Sequence, residues 1–179
     1  MPGWWYRTAA LEAMVATDGE AVMTRSPDPV TTDDVPDEIL RSIRIAASAE
    51  TVFAIISEPG WFINDGEYRE HEVTTDGDVS RVVDPVHGPF EIGTVELDPP
   101  RRAVFQWLAG QAGSLEEFPA NTIEFTIEPD GEGVLLSVRE TGFSGISADA
   151  AERRRRFEDN TQGWNEELAV ARTLAEGGR

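Results

Sequence analysis

A glutamate in a row of aliphatics is the first residue that could do chemistry. In "GVLLSVRET" (133–141) the strand-like alternation puts Glu140 on the face that carries Val134, Leu136 and Val138. If that face turns inward, a carboxyl enters an apolar space and its pKa rises unless a cation meets it. The run "RRRR" (153–156) offers cations. Four successive helical residues sweep most of a helix's circumference, so Arg153 or Arg154 is expected near Glu140, in a buried pair that orients a polar ligand group. The plain alternative is a strand-end glutamate in water and a solvated arginine face. His87, in "DPVHGPF" near Asp84, is a second candidate, since a His–Asp pair can act as a general base; an ordinary loop histidine is the alternative. His71, between Glu70 and Glu72, is explained by surface ion pairing.

Much other chemistry is excluded by composition. Cysteine is absent, which removes disulfides, thiolate nucleophiles and cysteine-based zinc sites. Lysine is absent too, which removes Schiff-base chemistry and a P-loop lysine. Two histidines cannot build a multi-histidine metal site within one chain. No G-x-S-x-G elbow marks a nucleophile. No metal or organic cofactor is implied, and no catalytic residue is assigned. The formal net charge of −19 disfavours nucleic acid and anionic membrane as partners. No apolar run approaches the roughly 20 residues that span a bilayer, and no secretory signal is recognisable. A cytoplasmic, acidic protein without membrane insertion is the expectation.

The remaining chemistry is apolar and aromatic. "FEDNTQGWNEELAVARTLAEGG" (157–178) carries Phe157, Thr161, Trp164, Leu168, Ala171 and Ala175 as one helical seam with charge elsewhere. Gly163 in mid-helix costs on the order of 1 kcal/mol relative to alanine and points to close approach by a strand or ligand. Trp61, Phe90, Trp107, Phe125, Leu136 and Phe157 are the further candidates for a pocket wall around Trp164, with ordinary core packing as the alternative for each.

These residues need elements to position them. Residues 1–37 read as an extension or linker: "SPDPVTTDDVPDE" (26–38) has no periodicity, "ALEAMVAT" (10–17) could form a short helix, and Trp4 and Trp5 need cover from this domain or a second subunit. From Glu38 to Arg179 the pattern is that of one domain. "ILRSIRIA" (39–46) alternates as a strand. "SAETVFAIIS" (48–57) is a helix capped by Ser48, and "EPGWFIND" (58–65) adds a short helical turn. Strands follow in "YREHEVTT" (68–75), "DVSRVVD" (78–84), "PFEIGTVELD" (89–98), "RRAVFQWL" (101–108), "NTIEFTIEP" (121–129) and "GVLLSVRET" (133–141). Asp76-Gly77 and Asp130-Gly131 mark hairpins, and a phase change near Gly93 marks a bulge. Ser147 is the expected cap of the long final helix and Gly177-Gly178 its stop.

"IRIAASAETVFAIISEPGW", "ELDPPRRAVFQW", "FTIEPDGEGVLLSVRETGF" and "NTQGWNEELAVARTL" occur in this order. In these blocks the chain resembles the homologues of the heat-shock protein 90 ATPase activator. That family lies within the START and birch-pollen-allergen-like (SRPBCC) helix-grip superfamily. The resemblance spans about residues 39–176 and implies an α+β helix-grip fold. A curved antiparallel sheet of six to seven strands would wrap the long C-terminal helix, with two short helices after the first strand. It also implies a hydrophobic cavity between helix and sheet.

The function expected is non-covalent binding of a small hydrophobic molecule in that cavity, lined by Trp61, Phe90, Trp107, Phe125, Leu136, Glu140, Phe157 and Trp164. Trp164→Ala would then abolish binding at clearly less than the roughly 3–5 kcal/mol usual for deleting a packed tryptophan. A polyketide cyclase or aromatase using the same cavity is one alternative. A chaperone-regulating interaction module is another. A homodimer and a chaperone are the candidate protein partners.

Overall fold

A computed structural model describes residues 35–110 and 113–177. The first strand, β1 (Glu38–Ile45), turns Ile39 and Ile45 into the core and leaves Leu40 outside. Helix α1 (Ala49–Ile56) begins where the Ser48 hydroxyl accepts the Thr51 amide at 3.2 Å, and it buries Val52 and Ile56. The second expected helix is instead a run of turns, with the amides of Trp61 and Ile63 donating to the carbonyls of Glu58 and Gly60. Trp61, Phe62, Ile63 and Asn64 are all buried in succession. One face of a helix cannot bury four consecutive side chains, so the segment passes through the core as turns. Gly60 makes this passage with φ +77°, and a Cβ there would lie 2.8 Å from Val82.

Six strands then follow as a meander: β2 (Glu72–Asp76), β3 (Val79–Asp84), β4 (Gly88–Asp98), β5 (Arg102–Trp107), β6 (Asn121–Asp130) and β7 (Gly133–Thr141). With β1 paired to β7 they form a curved, seven-stranded antiparallel sheet in the order β1-β7-β6-β5-β4-β3-β2. Both expected hairpins close with two-residue turns, Asp76 opposite Val79 and Asp130 opposite Gly133. The register shift in β4 falls between Thr94 and Glu96, just beyond Gly93. In β6 and β7 the alternation sends Asn121, Ile123, Phe125 and Ile127, and Val134, Leu136, Val138 and Glu140, to the concave face.

Helix α2 (Ala150–Ala175) lies across that face. Its cap is Asp149, whose carboxylate accepts the Ala151 amide at 2.9 Å; the Ser147 hydroxyl, two residues earlier, accepts the Asp149 amide. Past its end Gly177 takes φ +87° as the sequence predicts. The buried stripe contains Trp164, Leu168 and Ala171, but also Asn160 and Glu167. The Trp4-Trp5 arm and the short helix expected at 10–17 lie outside the described residues.

Candidate functional site

Of the eight residues expected to line a cavity, Trp61, Trp107, Phe125, Leu136, Glu140 and Trp164 are completely buried, Phe90 is buried and Phe157 half-buried. They pack on one another. Phe125 meets Trp164 edge to face with ring centroids 5.7 Å apart, and Trp61 lies 5.3 Å from Phe125. Phe62 sits 5.4 Å from Trp164 and 5.3 Å from Trp107. The space beneath Trp164, expected to be open, is thus occupied by Phe62 and Phe125. Phe62 gives no periodic signal in the sequence, because it arrives on the irregular segment between α1 and β2.

Glu140 does point inward, but its partners are not arginines. Its Oε1 accepts from Trp107 Nε1 at 2.9 Å, Asn121 Nδ2 at 3.0 Å and Asn160 Nδ2 at 3.0 Å. Its Oε2 accepts from Trp164 Nε1 at 2.7 Å and Asn160 Nδ2 at 3.2 Å. Burial holds the carboxyl pKa above its ordinary value, although these donors pull against it. Each of these contacts comes from an N–H donor, and the Asn121 Oδ1 beside them is buried without a partner. Arg153 lies seven residues before Asn160, about 10 Å along the helix axis. It donates instead to the carbonyls of Ser147 and Ala148. The node therefore joins β5, β6, β7 and α2 through neutral donors.

A second carboxyl, Glu167, is also fully buried. Asn64 Nδ2 donates to it at 2.9 Å and the Gly66 amide at 3.3 Å. Burial is the largest influence and, with the charges of Glu166 and Asp65, outweighs these bonds, so its pKa is pushed up to about 8. Sequence periodicity counts only apolar positions and could not single out Asn160 or Glu167.

Both histidines belong to one polar group, in which the ring of His71, not that of His87, meets Asp84. The His71 ring Nε2 lies 3.2 Å from Asp84, and the His87 ring Nε2 lies 3.0 Å from Asp65. His87 reaches Asp84 through its backbone, whose amide donates at 2.6 Å beside that of Val86 at 2.8 Å. Burial works to raise the Asp84 carboxyl, but these amides, Arg69 and His87 hold it below its usual range. Arg69 also pairs with Asp65. The His71 side chain is thus buried against Asp84 rather than at the surface. Among the described residues no group of three or more His, Cys, Asp or Glu side chains is arranged to hold a metal ion.

Open space lies elsewhere. A cleft of about 810 Å³ separates α1 from the C-terminal half of α2, beneath the 58–68 segment. Its apolar wall is Ala54, Ile55, Trp61, Ala169, Val170 and Leu174, and its polar groups belong to Thr51, Glu58, Glu67, Tyr68 and Thr173. Only Trp61 is shared with the set expected from sequence. The Trp61 Nε1 is buried without a hydrogen-bond acceptor, a condition that costs about 1–3 kcal/mol. The remaining wall was hidden from sequence reasoning because it joins the outer faces of two helices more than a hundred residues apart.

A curved antiparallel sheet gripping a long C-terminal helix defines the helix-grip class. Residues 46–174 match the family model described as "Activator of Hsp90 ATPase homolog 1-like protein". The chain belongs to that family, within a superfamily whose fold is suited to ligand binding. No curated protein matches it. Among solved structures, the chain is similar to the Aha1 dimer of Colwellia psychrerythraea, with 15% identity over 79% of this chain and 98% of that one, at a TM-score of 0.56. It is similar to protein CV1439 of Chromobacterium violaceum, with 18% identity over 79% and 99% and a TM-score of 0.56. Protein SA2116 of Staphylococcus aureus shares 12% identity over 78% and 93%, at a TM-score of 0.60. At these identities the likeness speaks for the fold alone. Among the described residues no helix is long and apolar enough to cross a membrane.

Proposed function

We propose that this protein binds a small, predominantly apolar molecule non-covalently, and that the cleft between α1 and α2 is where it binds. The observation that carries this reading is the cleft itself. Its volume of about 810 Å³ falls within the range of about 300–1,000 Å³ typical of small-molecule sites, and its wall is apolar with a few polar groups at the edge. Among the described residues neither histidine lines it, and its titratable groups are Glu58, Glu67 and Tyr68, at the edge. A cyclase needs convergent acid–base groups within reach of a bound substrate, so the cleft favours binding over turnover.

The test is titration with N-phenyl-1-naphthylamine, followed by probe fluorescence, alongside native mass spectrometry of freshly purified protein. Ala54→Trp fills the cleft from the exposed side of α1. Wild type should bind the probe, and the variant should bind it at least about tenfold more weakly, a loss of about 1.4 kcal/mol. No uptake by wild type, or equal uptake by the variant, refutes the assignment.

A further inference from the structure

The cleft is apolar within and acidic at its edge. Glu58 closes it on the α1 side and Glu67 on the loop side, and among the described residues no arginine or histidine lines it. Both glutamates are exposed, and neither has an ion pair or side-chain hydrogen bond among the described residues. Tyr68, also in the wall, senses this field: burial first, then the charges of Glu58 and Glu70, hold its phenol above the usual range. Glu166 adds a carboxylate close to Gly66. Among the described residues the nearby cations do not answer this charge. Arg69 is committed to Asp65 and Asp84, and Arg172 is exposed on α2 without lining the cleft.

We propose that the ligand of this cleft is a cationic amphiphile. An amine or quaternary ammonium head would sit between Glu58, Glu67 and the Tyr68 ring, and an apolar body would lie along Ile55, Val170 and Leu174. The inference rests on the binding function proposed above and adds the ligand's charge. A neutral apolar molecule would leave both carboxylates facing an empty rim, whereas an anion would be repelled by them and by a chain of net charge −19. An ammonium centre gains from each carboxylate and from the electron-rich face of Tyr68.

Isothermal calorimetry with decyltrimethylammonium, 1-decanol and decanoate, each below its self-association limit, separates the two claims. The three share one apolar tail. At low salt the cation should bind tightest, by on the order of fivefold per carboxylate engaged, and decanoate weakest. Added salt should narrow the spread. In the Glu58→Gln, Glu67→Gln double variant the cation's advantage over 1-decanol should vanish. Both positions are exposed, so folding should be preserved, as circular dichroism would verify. Failure of 1-decanol and the cation alike to bind overturns the cleft as a ligand site. Binding of all three with equal affinity, or an unchanged cation preference in the double variant, overturns the charge assignment and leaves the cleft standing.

Discussion

Glu140→Gln is the sharpest test of how helix and sheet are joined. Glutamine keeps the shape of glutamate but replaces one oxygen with an NH2 group. If that group takes the Oε2 position, it opposes the indole N–H of Trp164, 2.7 Å away, and the amide of Asn160 at 3.2 Å. If it takes the Oε1 position, it opposes Trp107, Asn121 and Asn160 together. In either orientation at least one indole donor is left buried without an acceptor, and a second donor is weakened. Each orphaned group costs about 1–3 kcal/mol, partly offset by no longer burying a charge. The expected loss is about 2–4 kcal/mol, or roughly 6–12 °C in Tm for a domain of this size. Urea denaturation followed by tryptophan fluorescence reads it directly, because Trp107 and Trp164 both donate to the substituted group. The reasoning assumes an ionised Glu140. A protonated carboxyl already has one donor and one acceptor, and glutamine would imitate it at little cost. A Gln variant as stable as wild type at pH 7 would therefore refute the account of the node.

Trp164→Ala should cost at least the roughly 3–5 kcal/mol of a packed tryptophan, because it empties the contacts with Phe62 and Phe125 and removes a donor from Glu140; this replaces the smaller loss expected from sequence, and a change below about 2 kcal/mol in urea unfolding would contradict the packing described. Glu167 should make stability fall as pH rises. Its folded pKa of about 8 lies above its ordinary value of 4.5, so the stabilisation is complete below about pH 4.5 and is lost as pH climbs through about 8, a span worth on the order of 4–5 kcal/mol. Glu167→Gln removes this dependence. Thermal melts at pH 5, 7 and 9 should show the variant gaining steadily on wild type, and parallel profiles would show that Glu167 is not held protonated.

How much was legible in the sequence follows from the range of each signal. Strand and hairpin signals act over a few residues, so the β6–β7 hairpin with its Asp130-Gly131 turn was readable, as was the inward face of Val134, Leu136, Val138 and Glu140. Helical spacing placed Trp164, Leu168 and Ala171 in one stripe. The cap of α2 was misplaced by two residues, because Ser147 and Asp149 can both cap and only the direction of the chain leaving the 3-10 turn at Phe143–Gly145 chooses between them.

By itself, the sequence determined the order of the strands and of helices α1 and α2, the inward face of β7 and the burial of a carboxyl at position 140, since alternation and turn chemistry are local. Tertiary structure alone decided what meets that carboxyl, because the partners come from β5, β6 and α2 and no spacing rule links them. It also decided that Phe62 fills the room beneath Trp164, leaving open space instead between α1 and α2. A chain's periodicity states which side chains leave water, and only the packing of distant segments determines where volume remains unfilled.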